Sequence, residues 1–348
     1  MNALLQTSGL TCGYHARAVL NNIDLAMHAG RFICIIGANG TGKTTLVRTI
    51  AGLLPPLAGT ARINSTHITD LSPPERARRL SVVLTSTPAP GYLTVRAMVE
   101  LGRTPHTSLF GRLDKLDHAA VAEALATVGI THLADRLVAE VSDGERQRAA
   151  VARALAQAAE IIVLDEPTAH LDVGGRATVM AALQRIAHDT GRLVVTTSHD
   201  IELVLRTADQ VVLIGSEGSV EIGAPEDLAL SGRLSTLFDE ELLRFDLDTG
   251  RFLLPPRTGA EVTLIGEGTR RFWTAHALER LGYRVVGSGL AGATTRDGTD
   301  SNAATSTEDT KATGGGSVVR VTADAWIVEH DGATLHAGSV SDLADSLR

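Results

Sequence analysis

The chain is predicted to fold in the α/β class, and three observations carry that expectation. A wholly apolar run, FICIIG at Phe32–Gly37, leads into a glycine-rich turn and then a periodic stretch with Leu46, Ile50 and Leu53, which reads as strand, loop, helix. Further short apolar runs at Ile161–Leu164, Leu193–Thr197 and Gln210–Ile214 are separated by helical patterns such as Val179, Leu183 and Ile186. Alternation of this kind builds βαβ units on a parallel sheet and places ligands at the carboxyl ends of its strands. From about 94 to 158 the pattern is mostly helical instead: Val121, Leu125 and Val128 recur at i, i+4 and i+7, and Gly129 sits where a helix would stop. That stretch is read as a helical insertion.

The remaining elements follow in order. Residues 4–61 mix short apolar runs with turns around the first strand, loop and helix. After about Ser231 the character changes, and a second, smaller α/β pattern begins. It contains a strand at Val262–Gly266, a helix with Trp273, Ala277, Leu278 and Leu281 expected on one face, and a strand at Tyr283–Val286. Residues 287–317 are nearly all Gly, Ala, Ser, Thr, Asp and Asn and read as a disordered loop. VVRVT and AWIVEH read as two strands, with a short terminal helix from about Ser341. The expected organisation is therefore a larger α/β domain over 1–230 and a small accessory α/β domain over 231–348.

Composition narrows the function classes. At 348 residues and 44% hydrophobic content the chain can bury a large core, which the 3% aromatic share makes mainly aliphatic. So few rings, with a net charge of −8, argue against nucleic acid as the main partner. Two cysteines, Cys12 and Cys34, cannot build a disulfide framework, and Cys34 inside FICIIG reads as a small buried thiol. No apolar run reaches the roughly 18 residues that span a bilayer, and MNALLQTSGL lacks the basic start and long apolar stretch of a signal peptide. The expected location is the cytosol, with any membrane role arising through a partner.

Two motifs carry chemistry. The run GANGTGKTT offers Gly37, Ala38, Asn39, Gly40, Thr41, Gly42, Lys43, Thr44 and Thr45 as a phosphate cradle. At the start of a helix four amides lack intrahelical partners and the end carries partial positive charge, so the N–H groups of residues 39–44 converge on phosphate oxygens. Lys43 would lie along the β- and γ-phosphates and Thr44 would ligate Mg²⁺. A run of this form turns up by chance in on the order of one per cent of chains this long, so it needs company. It has company in VSDGERQ at Val141–Gln147 and IIVLDEPT at Ile161–Thr168. The latter delivers adjacent carboxylates to a strand end, where neighbours cannot point the same way. Asp165 is thus expected to hold Mg²⁺, directly or through water, and Glu166 to polarise the attacking water.

These motifs, in this order, resemble the nucleotide-binding subunit of ATP-binding-cassette transporters over about Leu4–Leu230. The resemblance implies a RecA-like P-loop ATPase core with an antiparallel β subdomain and a helical subdomain at about 90–160, binding ATP and Mg²⁺. It implies that Tyr14 stacks on adenine, that Ser142 and Gly144 contact the γ-phosphate bound to the other subunit of a homodimer, and that Asp172 belongs to the loop crossing that interface. His199 matches the histidine that touches the γ-phosphate and the catalytic carboxylate. Glu166, His199 and Lys43 are accordingly the catalytic set, and Thr44, Asp165 and Thr85 the metal set.

There are departures from the family pattern. The signature reads S-D-G-E where S-G-G-Q is common, so Asp143 brings a negative charge close to a phosphate site, with two outcomes open: slower turnover, or balance by Arg146. Thr85 stands where most relatives carry a longer glutamine reaching from Mg²⁺ toward the transmembrane partner. LTVRAMVELGRTPH and the residues after it resemble the subgroup that energises import of iron–siderophore complexes, haem and cobalamin. Integral membrane permease subunits, an indirect substrate-binding protein and a peripheral place on the cytoplasmic face of the inner membrane follow from that likeness. Iron–siderophore cargo is the preferred reading. Haem or cobalamin import, or a soluble ATPase of the superfamily in translation or DNA repair, are the competing ones. In the C-terminal piece Gly266 and Gly268 could form an anion-binding turn, but the dinucleotide fingerprint is absent and packing or dimer contact is favoured. The 12 histidines show no metal-ligand spacing.

Overall fold

A computed structural model describes residues 3–84, 92–107, 111–216, 218–236, 244–247, 249–254, 259–287, 317–322, 324–330 and 333–347. It divides the chain into two compact units, Met1–Asp239 and Glu240–Arg348. Among the described residues no helix is long and apolar enough to cross a membrane.

Unit 1 opens with strands β1 (Leu5–Tyr14) and β2 (Arg17–Met27), whose alternating burial marks sheets with one face on the core. The next strand, β3 (Phe32–Gly37), is buried at every position. Then come helix α1 (Lys43–Ile50), β4 (Ala58–Ile63), β5 (Thr66–His67), α2 (Pro73–Arg79) and β6 (Leu80–Val83). The helical stretch holds α3 (Val95–Glu100), α4 (Lys115–Thr127) and α5 (Asp143–Ala156). Val121 and Leu125 face inward on α4, and Gly129 takes φ 72° just beyond its end. The unit closes with β7 (Ile161–Leu164), α6 (Val173–Thr190), β8 (Leu193–Thr197), α7 (Ile201–Thr207), β9 (Gln210–Ile214), β10 (Val220–Gly223), α8 (Pro225–Leu230) and α9 (Arg233–Thr236).

These strands form two sheets. One is antiparallel in the order β2-β1-β4-β5; the other runs β10-β9-β3-β8-β7-β6 and is parallel except at its β9–β10 edge. β3, β7 and β8 are buried throughout because apolar side chains cover both faces of the parallel sheet. The consequence for function lies at the carboxyl ends: β3 neighbours β8, and β8 neighbours β7, so the segments leaving all three emerge side by side.

Unit 2 begins with a ribbon of β11 (Arg244–Asp246) and β12 (Arg251–Leu253), closed by Phe245 against Phe252. It continues with β13 (Glu261–Ile265), α10 (Gly268–Arg280), β14 (Arg284–Val286), β15 (Ser317–Val321), β16 (Trp326–His330), β17 (Ala333–Ala337) and α11 (Val340–Ser346). Its sheet runs β14-β13-β15-β16-β17. Val262, Leu264, Leu278, Val319, Trp326, Val328 and Leu343 make its core.

Three expectations for this region need adjusting. Trp273 does not share the buried face of α10: it is 62% exposed, while Thr274, Ala277 and Leu278 are buried. At 100° per residue Trp273 and Leu278 point about 140° apart, so one face cannot hold both. The two strands expected near the end are three, because β17 adds to the edge through pairing with β16. The loop expected over 287–317 falls outside the described residues apart from Gly287 and Ser317, and Ser317 already belongs to β15.

Candidate active site

The glycine-rich turn leaves β3 at Gly37 and enters α1 at Lys43. Gly40 at φ 79° and Gly42 at φ 102° hold left-handed conformations that side chains resist, and Gly42 caps the helix without any side chain. The first amides of α1 are therefore left for a ligand. Thr41 Oγ1 donates to Ala38 O at 2.9 Å, tightening the turn. Lys43 Nζ curls into it, donating to Gly37 O and Ala38 O at 2.9 Å each. Burial lowers the Lys43 pKa, and the nearby carboxylates of Glu166 and Asp165 oppose that shift. A cation beside helix-start amides that lack an intrahelical partner is a receptor for a polyphosphate.

Asp165 and Glu166 leave the end of β7 in opposite roles. Asp165, only 3% exposed, accepts at Oδ1 from Thr44 Oγ1 (3.2 Å) and from Thr197 Oγ1 (2.8 Å). Its backbone is fixed by its own N–H, which donates to Val83 O at 2.8 Å. Glu166 adopts φ 50°, a left-handed backbone unusual for a residue with a Cβ. Its N–H donates to Thr197 Oγ1 at 2.8 Å, and its Oε1 lies 2.6 Å from His199 Nε2. The left-handed turn re-aims the chain, so that one carboxylate faces the Thr44 side and the other faces His199.

The chemistry of this donor set suits a hard divalent cation. Thr44 and Asp165 bring a hydroxyl and a carboxylate oxygen together at the mouth of the phosphate turn, and such ions take oxygen ligands. Among the described residues no group of three or more His, Cys, Asp or Glu stands ready as a metal cage. Mg²⁺ characteristically completes its shell with substrate phosphates and water, so a two-ligand protein site is the expected kind.

The other predicted residues lie apart from that cluster. Ser142 caps α5 in a reciprocal box: its N–H and Oγ–H donate to Glu145 Oε2 at 2.8 and 2.9 Å. Those bonds hold the Glu145 carboxyl below its usual range. Asp143 forms an ion pair with Arg146. A Cβ on Gly144 would come within 3.0 Å of Leu171 Cδ2, so glycine lets α5 start against the loop before α6. Asp172 caps α6, accepting from Gly175 N at 2.7 Å. Tyr14 ends β1 and is 38% exposed, and Asn39 is exposed on the turn, whereas Thr45 is buried in α1. Thr85 lies outside the described residues. In unit 2 a Cβ on Gly266 would meet Val321 Cβ at 2.8 Å, so packing against β15 accounts for that glycine.

Thr197 is the residue that sequence reasoning passed over. The signal was a polar residue ending an otherwise apolar strand, LVVTT, one step before the motif histidine segment. Its partner became visible only through the sheet order.

Comparison with known proteins bears on what this site does. Residues 20–169 match the ABC transporter family model, and residues 259–348 match the iron ABC transporter C-terminal domain. The chain is 37% identical over 269 residues to an uncharacterized ABC transporter ATP-binding protein of Methanocaldococcus jannaschii, covering 76% of this chain and 93% of the relative. It is 35% identical over 236 residues to the ferric enterobactin transport ATP-binding protein FepC of Escherichia coli, covering 68% and 87%. Among solved structures it is similar to an ATP-binding cassette captured as a dimer in a post-hydrolysis state bound to ADP and Pi, with a TM-score of 0.57, 25% identity, and coverage of 64% of this chain and 98% of that one.

Proposed function

The chain belongs to the family of ABC transporter ATP-binding proteins, which are ATP-hydrolysing transporter ATPases, and from that premise we propose the residue roles, assembly and cargo that follow. Two copies clamp ATP and Mg²⁺ between them and drive integral membrane permease subunits from the cytoplasmic face of the inner membrane, with a substrate-binding protein supplying cargo from the other side. The cargo is an iron chelate. Support for it is the iron-type C-terminal domain match over 259–348 and the likeness to a ferric enterobactin transport protein.

The observation that carries the hydrolytic reading is the Glu166–His199 contact at 2.6 Å, set beside an Asp165 carboxylate already bonded to Thr44. The amides of residues 39–44 and Lys43 bind and orient the phosphates, with the ammonium leaving its loop carbonyls for phosphate oxygens. Tyr14, exposed at the end of β1, offers its ring to the adenine face. Thr44 and Asp165 would hold Mg²⁺, which supplies neutralisation of phosphate charge when bound. Glu166 accepts a proton from a water aimed in line with the terminal phosphate, and His199 keeps that carboxylate oriented. The partner copy's equivalents of Ser142 and Gly144 complete the site. Unit 1 houses this machinery, and unit 2 is an accessory domain.

Glu166→Gln tests the base. The variant should bind ATP as the wild type does while hydrolysis falls by about 100-fold or more. Hydrolysis at the wild-type rate in purified Glu166→Gln would remove Glu166 from the role.

A further inference from the structure

We propose that Thr197 is a positioning residue of the hydrolytic centre, whose single hydroxyl fixes the Asp165 carboxylate and the Glu166 backbone relative to each other. The proposal rests on the roles given above to those two acids. Thr197 is the last residue of β8 and is 0% exposed. Its Oγ1–H donates to Asp165 Oδ1 at 2.8 Å, and the same oxygen accepts the Glu166 N–H at 2.8 Å. Sheet register explains the meeting: β7 and β8 run parallel with Leu164 opposite Thr196, so the residue after each pair arrives at the same edge.

The chemistry of the bridge is demanding. A carboxylate only accepts and an amide N–H only donates, so one side chain can join them only if it does both. Valine has the shape of threonine and neither function; serine has both. On the Glu166 side the bridge restrains an unusual backbone. Residue 166 sits at φ 50°, pinned at N–H by Thr197 and at C=O by the Ala169 N–H (3.1 Å). Without the first restraint the backbone is free to relax toward ordinary φ, which would swing the carboxylate off His199. On the Asp165 side, Oδ1 is shared between Thr197 and Thr44, so the buried hydroxyl sets which way the carboxylate faces the candidate metal position.

The test uses the full-length chain with Thr197→Val and Thr197→Ser, each alone and the valine also in a Glu166→Gln background. Thr197→Val should lower kcat about 10- to 100-fold, as loss of an outer partner of a metal-site carboxylate does, while Thr197→Ser stays within about threefold of wild type. Binding of a fluorescent ATP analogue without Mg²⁺ should be unchanged in Thr197→Val, but the Mg²⁺ concentration that half-saturates the Mg²⁺-dependent part of binding should rise at least about threefold. Added to Glu166→Gln at saturating Mg²⁺, the valine should cost clearly less than it does alone, because the base it positions is already gone and only the Asp165 share remains. Wild-type kcat in Thr197→Val, a serine variant as slow as the valine, or fully multiplying losses each overturn the proposal. If Thr197→Val does not fold, Thr197→Ala removes both the donor and the acceptor from a smaller side chain, and a wild-type kcat there overturns it equally. A wild-type chain inert toward ATP would instead overturn the hydrolytic reading, and the Mg²⁺ shift in binding would still report whether Thr197 orients Asp165.

Discussion

Lys43 is a residue whose burial works against its charge. Its ammonium is buried against the turn, satisfied by two carbonyls, and burial lowers its pKa. A lysine whose folded pKa is depressed costs stability while it stays charged, and the cost is relieved as pH rises through the folded value. Lys43→Met should therefore weaken ATP binding by about tenfold or more, the worth of a hydrogen bond to a charged group, without a matching loss of ligand-free stability. Thermal melts of the two chains should differ most in the variant's favour at neutral pH and converge toward alkaline pH. A large neutral-pH destabilisation in Lys43→Met would show that the two carbonyl bonds outweigh desolvation. At this scale much of the candidate site was legible, since Lys43, Thr44, Asp165 and Glu166 sit in runs whose chemistry is local, while His199 was reached only through the resemblance. The Thr197 bridge and the left-handed Glu166 were not, because one is a cross-strand relation and the other a backbone dihedral that no residue type announces.

Among the elements, the helical stretch is tied together by one nearly buried ion pair. Arg103, in the turn after α3, donates from Nε to Asp117 Oδ1 and from Nη1 to Ala156 O, each at 2.7 Å, joining the start of α4 to the end of α5. The two side chains are 11% and 8% exposed. The N–H of Asp114 and then Arg103 hold the Asp117 carboxyl below its usual range. A depressed carboxylate contributes stability that is present above the ordinary carboxylate range and lost as pH falls through its folded value. Arg103→Met leaves the Asp117 carboxylate with the Asp114 N–H but without its countercharge and should cost about 1–3 kcal/mol at neutral pH, read from denaturant unfolding by circular dichroism. The gap to wild type should narrow as the buffer is acidified below the carboxylate range; a gap independent of pH would mean that packing, not charge, ties the helices. The elements missed in the sequence are those that exist through pairing alone. The ribbon strands have three residues each, and β17, four of whose five residues are exposed, carries no apolar alternation. The central strands β3, β7 and β8 were legible because each is a continuous apolar run, and α4 because its apolar residues recur at helical spacing.

Over the whole molecule, the chain carries its own reporter for how its two units share stability. Every residue given a nucleotide or metal role lies in unit 1, whereas both of its tryptophans, Trp273 and Trp326, lie in unit 2. Trp326 is buried in that unit's core and its Nε1–H donates to Thr274 Oγ1 at 2.7 Å, so its emission follows the unfolding of unit 2. A ligand that binds only the folded state stabilises by mass action, about 2.7 kcal/mol at 100 times its Kd. For a unit of this size that should raise the melting midpoint by roughly 5–10 °C. The two units have separate hydrophobic cores, so the gain belongs to unit 1. Saturating ATP with Mg²⁺ on Glu166→Gln should therefore shift the circular dichroism transition of unit 1 and leave the tryptophan transition in place. A fragment of residues 1–239 should show the same nucleotide-dependent gain as the full chain. Tryptophan emission that shifts in step with the dichroism would show instead that nucleotide binding is felt in unit 2, and would make the accessory domain part of the nucleotide response.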